Sequence, residues 1–197
     1  MTILTGGWQT IVTQMAQWTN EAHAAVDKTV RDEAMLFSRY INKAFTKSGY
    51  NQKWRRLSPI TLALRKAGVG GSGSGGNKPL VRSGALRKSI KVNRQGFGTY
   101  RVGVRRTART GINVAALHDS GPHIIPVTDK MRRYFMTLFW KGILPFPWPS
   151  TKTKYIVIPR RSFLSDTFKK FAPGSRQRMA ARYKAYVAGS SMPRLKV

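Results

Sequence analysis

Between residues 20 and 47 the apolar side chains Val26, Val30, Phe37, Ile41, Ala44 and Phe45 return at the spacing of one helical face. The pattern predicts a helix over about 20–47, opened by Asn20 as N-cap with Glu21 in its first turn, and closed at Ser48–Gly49. A chain that starts this way must cover a long apolar stripe with the elements that follow it. Ahead of the helix, Trp8, Ile11, Met15 and Trp18 make a shorter stripe, read as a separate arm or short helix within residues 1–19.

Four of the chain's seven acids, Glu21, Asp27, Asp32 and Glu33, lie on this helix, against 36 Lys and Arg in the whole sequence. Residues 1–49 are close to neutral, and nearly all of the net charge of +29 falls after them. Seven acids cannot neutralise such a surplus from within. The bases therefore face water or something anionic: nucleic acid, an acidic protein surface or a membrane surface. The polar face carrying Asp27, Asp32 and Glu33 is expected either to accept a basic neighbour or to be solvated.

With 41% hydrophobic residues, the chain is not a disordered polycation. It has no cysteine, which removes disulfides and thiolate metal sites and fits a reducing cytoplasm. No secretory signal is visible at the N-terminus. The most apolar window, Tyr134–Pro149, is interrupted by prolines and too short to span a bilayer, so no membrane partner is expected.

After the long helix, Ser58–Pro59 supplies an N-cap and first-turn proline for a short helix. Residues 68–78 read as a flexible glycine-serine loop. In "LVRSGALRKSI", Ser83 can cap a single helical turn. Ile90 and Val92, then Tyr100, Val102 and Val104, alternate with polar residues about the turn "QGFG", which predicts a β-hairpin. Lys91, Arg101 and Arg105 should share its outer face, with Arg106 and Arg109 following, as a basic surface that contacts phosphates without reading sequence.

Residues 113–127 suggest a short helix, a turn at Ser120–Gly121–Pro122 and a strand; 129–140 is an amphipathic helix with Met131, Phe135 and Leu138 inward. "YIVIP", 155–159, reads as a central strand, followed by helices around 163–171 and 175–188. Residues 141–154 form a proline-rich arm carrying Leu144, Phe146 and Trp148. On a stiff backbone these are expected to dock on a partner; folded back, they would cover the chain's own core. The whole predicts an α+β fold, with one domain over 20–188 and a tail over 189–197.

The chemistry of catalysis is sparse. His118, Asp119 and His123 lie close together, but no third ligand at regular spacing completes a metal site. Asp119, Asp129 and Asp166 are the only acids after residue 49, too dispersed to predict a two-metal nuclease. No Gly-x-Ser-x-Gly elbow surrounds Ser83. The expectation is a non-enzyme with no metal and no cofactor.

Four segments follow one another in a recognisable order: Trp54, Leu57, Ser58 and Pro59; Leu80, Ser83, Gly84, Leu86 and Ser89; His118 and Gly121; Ile158, Pro159, Arg161, Phe163 and Leu164. In that order they resemble the virion morphogenesis, or tail-completion (neck), family of long-tailed bacteriophages, over roughly residues 25–188. Ser162 stands where that family usually has proline, and residues 1–19 and 141–154 look like additions. The resemblance implies a small antiparallel sheet with a long N-terminal helix and C-terminal helices packed on it. It also implies a structural role, in a ring, often hexameric, at the top of the tail, with helix 20–47 and its Asp27, Asp32 and Glu33 packed at a subunit or ring interface. Its partners would be further copies of itself, neck or connector proteins, and tail tube or terminator proteins. Double-stranded DNA would pass through the lumen, in a virion assembled in the host cytoplasm. The second reading of the basic surface is a free-standing, sequence-nonspecific nucleic-acid-binding protein.

Overall fold

The computed structural model of the chain describes residues 6–49, 54–69, 77–104 and 113–189. Within them the protein is α+β. Helices α1 (Gly6–Lys47), α2 (Pro59–Lys66) and α3 (Ala85–Lys88) precede the hairpin β1 (Ile90–Gly96) and β2 (Thr99–Val104). Helix α4 (Val114–Ser120), strand β3 (His123–Pro126), α5 (Asp129–Trp140) and strand β4 (Tyr155–Ile158) follow. Helix α6 (Ser165–Phe171), a 3-10 turn (Ala172–Gly174) and α7 (Ser175–Val187) complete the order. The strands form two two-stranded sheets, β1–β2 and β3–β4.

Helix α1 corrects one expectation, because it does not restart at Asn20. The helix runs unbroken through that position, and the Thr19 hydroxyl beside it donates back to the Met15 carbonyl at 2.8 Å. Asn20 is exposed, so placing it mid-helix costs only a fraction of a kcal/mol, roughly 0.7 at most. The far end is as expected: Ser48 and Gly49 take positive φ, 56° and 105°, and Gly49 N–H donates to the Ala44 carbonyl at 2.9 Å.

The chain groups into two compact units, with the boundary inside α1 after Arg39. One comprises residues 1–39, 92–102 and 171–197; the other comprises 40–91 and 103–170. In the first unit, α7 lies along the polar face of α1. Lys28 Nζ stands 4.2 Å over the Tyr186 ring, and Phe37 stacks on Phe171 at 5.0 Å.

The second unit holds most of the buried apolar residues. Phe45, fully buried at the end of α1, meets Trp54 edge-on at 5.7 Å and Phe163 at 5.0 Å. The Trp54 indole N–H donates to the Ser162 carbonyl at 3.0 Å, joining two segments 108 residues apart. Ile60 of α2, Leu138 of α5 and Leu144 form a further cluster, flanked by Phe135 and Trp148.

Local caps explain the short helices. Ser58 Oγ accepts from Thr61 N–H at 3.2 Å with Pro59 in the first turn of α2. Asn113 Oδ1 accepts from Ala115 and Ala116, and Thr128 Oγ1 from Met131. Ahead of α3, Gly84 occupies the cap position at φ 69°, while Ser83 Oγ accepts from Ala85 N–H. Only a residue without Cβ takes that φ without strain.

Strand β4 departs from the central position expected of it. Among the described residues it pairs with β3 alone, antiparallel, His123 opposite Ile158 through Pro126 opposite Tyr155. Val157 is 56% exposed. An unbroken β-branched run fits a two-sided core, but here one face of the short ribbon remains in water.

Candidate functional site: an arginine-lined cleft

The basic hairpin surface is described in part. Lys91 and Arg101 are both exposed, while Arg105, Arg106 and Arg109 lie outside the described residues. A further base on β1, Arg94, is committed to Asp27, with Nη2 3.3 Å from Oδ1.

The acidic face of α1 finds its bases within its own chain. Asp27 also accepts from Gly98 N–H at 3.1 Å and the Tyr100 hydroxyl at 2.9 Å. Asp32 accepts from the Tyr186 hydroxyl. Glu33, only 5% exposed, takes Arg178 Nη2 at 2.6 Å, Arg182 Nη1 at 2.7 Å and the Ser175 hydroxyl at 2.7 Å. These three carboxylates are engaged by the hairpin and α7 of their own chain, not by the neighbouring subunit expected for them.

The proline-rich arm corrects another expectation. Leu144 is 3% exposed, packed with Ile60 and Leu138, and the Trp148 ring meets Phe135 at 4.6 Å. Burying these side chains on the chain's own apolar helices competes directly with docking them elsewhere. Arg132 ties the end of the segment down, donating to the Ser150 carbonyl at 2.7 Å and the Thr153 carbonyl at 2.6 Å. Phe146 alone of the three stays out, 42% exposed.

Asp119 is a structural cap. Its Oδ1 accepts from the Ser162 hydroxyl at 2.9 Å, from Phe163 and Leu164 N–H at 3.1 Å, and from Ser165 N–H at 3.4 Å. The Ser165 hydroxyl donates to Oδ2. Burial raises the pKa of this carboxyl, but the two hydroxyls and the backbone N–H groups outweigh burial and hold it below its ordinary value. The carboxylate thus satisfies the open N–H groups at the start of α6 from a distant helix. His123 Nε2 lies 2.6 Å from the Leu117 carbonyl. His118 is pushed down to about 4 by burial, then by Arg161 and His123, and its Nδ1 is buried without a partner among the described residues. Among those residues no group of three or more His, Asp or Glu can hold a metal ion.

A different constellation emerges in the second unit. Arg55, Arg56, Arg65, Arg82 and Arg161 line one cleft of about 1080 Å³. Among the described residues no aspartate or glutamate lines it. Arg65 Nη1 donates to the Lys78 carbonyl at 2.9 Å and Arg82 Nη2 to the Val69 carbonyl at 2.6 Å, which fixes both guanidinium planes. Arg161 is 8% exposed, and its Nε has no hydrogen-bond partner among the described residues. Burial, then the charges of Arg65 and Arg55, lower its pKa. Leu64, Phe135, Trp148 and Ile158 give the same cleft apolar walls.

Sequence reasoning passed over this cluster because its members come from four separated segments, and each looks alone like an ordinary surface base. The one available signal was the position of Arg161 between an apolar strand and the buried Phe163.

No family model matches the chain, and neither a curated protein nor a solved structure does so. Among the described residues, no helix is long and apolar enough to cross a membrane.

Proposed function

We propose that the protein is a structural subunit of the neck of a long-tailed bacteriophage, forming a ring that completes the tail and joins it to the DNA-filled head. Its basic surface faces DNA or acidic neighbouring proteins, and it performs no catalysis. The observation that carries this reading is the charge left over after folding. Asp27 and Glu33 take Arg94, Arg178 and Arg182, and Asp119 is consumed by hydroxyls and backbone N–H groups. With the acids taken up inside the chain, the whole net charge of +29 is left for external counter-charge, which a DNA conduit supplies.

The ordered segments lend support of a second kind. Trp54 bonds to Ser162, and Asp119, next to His118, caps the helix after Phe163 and Leu164. The segments around Trp54, His118 and Phe163 are thus tied into one scaffold, in keeping with a structural role. The test is electron microscopy of purified particles with this subunit labelled. The expected image is a ring of label at the head-proximal end of the tail; particles complete without the subunit would refute the reading.

The second reading, a sequence-nonspecific nucleic-acid-binding protein, is favoured by the exposed bases Lys91 and Arg101. It predicts tight duplex binding by the isolated chain, weakening linearly on a log–log plot against salt, by about 0.9 for each phosphate neutralised. It fails if that slope is unchanged on Lys91→Glu with Arg101→Glu.

A further inference from the structure

The arginine-lined cleft has two chemistries on its walls. Arg55 and Arg56 are exposed at it, Arg161 is buried against it, and Leu64, Phe135 and Trp148 offer it apolar surface. A buried guanidinium with an unsatisfied Nε is costly unless an anion completes it. Yet no described carboxylate reaches this cleft.

Among the described residues, none of the chain's own acids lines the cleft. Asp27, Asp32 and Glu33 are engaged with the hairpin and α7, and Asp119 is enclosed at the start of α6. The remaining acids, Glu21, Asp129 and Asp166, are isolated in sequence. A second copy offers only a few exposed acids, such as Glu21 and Asp129, so a more acidic molecule matches the cleft better.

The walls also discriminate among anions. A duplex uses the arginines but brings its stacked bases nowhere near the leucine, phenylalanine and tryptophan surface, and a single strand reaches that surface only by stacking its bases on Phe135 and Trp148. An extended peptide uses both. Its main chain has a further partner in β4, which contributes Ile156, Val157 and Ile158 to the cleft and has, among the described residues, only β3 as a strand neighbour.

We infer that this cleft receives an extended acidic peptide segment of a partner protein. Its carboxylates meet the arginines, its apolar side chains meet Phe135 and Trp148, and its backbone runs along the open edge of β4. Alternation along a strand separates the two kinds of side chain. The inference is independent of the virion assignment, since it concerns the chemistry of one cleft in the isolated chain.

The test uses the full chain and a fluorescent peptide of about ten residues alternating glutamate and leucine, long enough for one strand. Fluorescence anisotropy is read at about 0.15 M salt, where long-range attraction to a basic protein is screened. A matched peptide with glutamine for glutamate, and a single-stranded oligonucleotide of similar length, serve as comparisons. The variant Arg55→Glu with Arg56→Glu alters two exposed side chains and leaves the core untouched. Lys152→Glu with Lys169→Glu makes the same change of charge at exposed positions that do not line the cleft.

The acidic peptide should bind, and the Arg55/Arg56 variant should weaken it by about tenfold or more, against about twofold for the Lys152/Lys169 variant. Arg161→Ala should weaken it as well; if that variant does not fold, the Arg55/Arg56 comparison still decides. Three results would overturn the inference: no binding of the acidic peptide, equal binding of its glutamine counterpart, or equal losses in the two charge-reversal variants. An oligonucleotide that displaces the peptide and depends equally on Arg55 and Arg56 would also overturn it, in favour of a phosphate site.

Discussion

Arg182 Nη1 donates to Glu33 Oε2 at 2.7 Å, and both side chains are buried. Arg178 shares the same carboxylate at 2.6 Å. One carboxylate thus holds two guanidiniums between α1 and α7. Glu33→Ala should cost about 3–5 kcal/mol in chemical unfolding, because Arg182 is left buried without a counter-charge. The double variant Glu33→Leu with Arg182→Met should lose less than Glu33→Ala alone. A loss that disappears in high salt would show that the pair is solvent-screened instead.

Acid should weaken the fold in two ranges. His118 titrates at about 4 in the folded chain against 6.5 when free, so the unfolded state takes up the proton first. Its share of stability is present above pH 6.5 and is lost as the pH falls from there to about 4. Asp119 is held below the ordinary 3.8 of a free aspartate, so its share persists above that value and is lost only below it. His118→Gln should flatten the upper range and Asp119→Asn the lower, read as urea midpoints across pH. The upper slope should be a fraction of the limit for one proton, about 1.4 kcal/mol per pH unit, since His118 is only half-buried.

Leu144 and Phe146 stand two residues apart and should respond oppositely. Leu144→Ala opens a cavity beside Ile60 and Leu138 and should cost about 2–4 kcal/mol by thermal or urea unfolding. Phe146→Ala should change stability by less than about 0.5 kcal/mol, as for other exposed positions. Equal small effects would mean that the proline-rich segment does not pack as described.

Trp54→Phe retains an aromatic ring against Phe45 but removes the donor to the Ser162 carbonyl. It should cost about 1–3 kcal/mol, the penalty of leaving a buried carbonyl unpaired. Tryptophan-to-alanine at the same position should cost about 3–5 kcal/mol, because it also empties the space between the aromatic rings.

Where structure follows from neighbouring residues, it was legible. Ser58–Pro59 announced α2, and "DKMRRYFMTLFW" gave the bounds of α5, because caps and amphipathic spacing act within a turn or two. Asn20 misled, since a residue that caps well also sits without much penalty on an exposed helix face. "YIVIP" misled because its composition reports β-propensity and says nothing of how many strands lie beside it. Asp119 could be seen as an isolated acid near His118 and His123, but its partners Ser162 and Ser165 are more than forty residues away. The arginine-lined cleft was invisible for the same reason: only the folded path brings Arg55, Arg82 and Arg161 to one cavity.

The engagement of Asp27, Glu33 and Asp119 within the chain bears on the assembly proposed above. Once folded, each molecule presents its fellows with a surface of nearly one sign, and such surfaces repel. Crowding many copies side by side becomes favourable only where a polyanion or an acidic platform is already waiting. Electrostatics would then act as a timer, keeping newly made subunits dispersed until the template that gathers them exists.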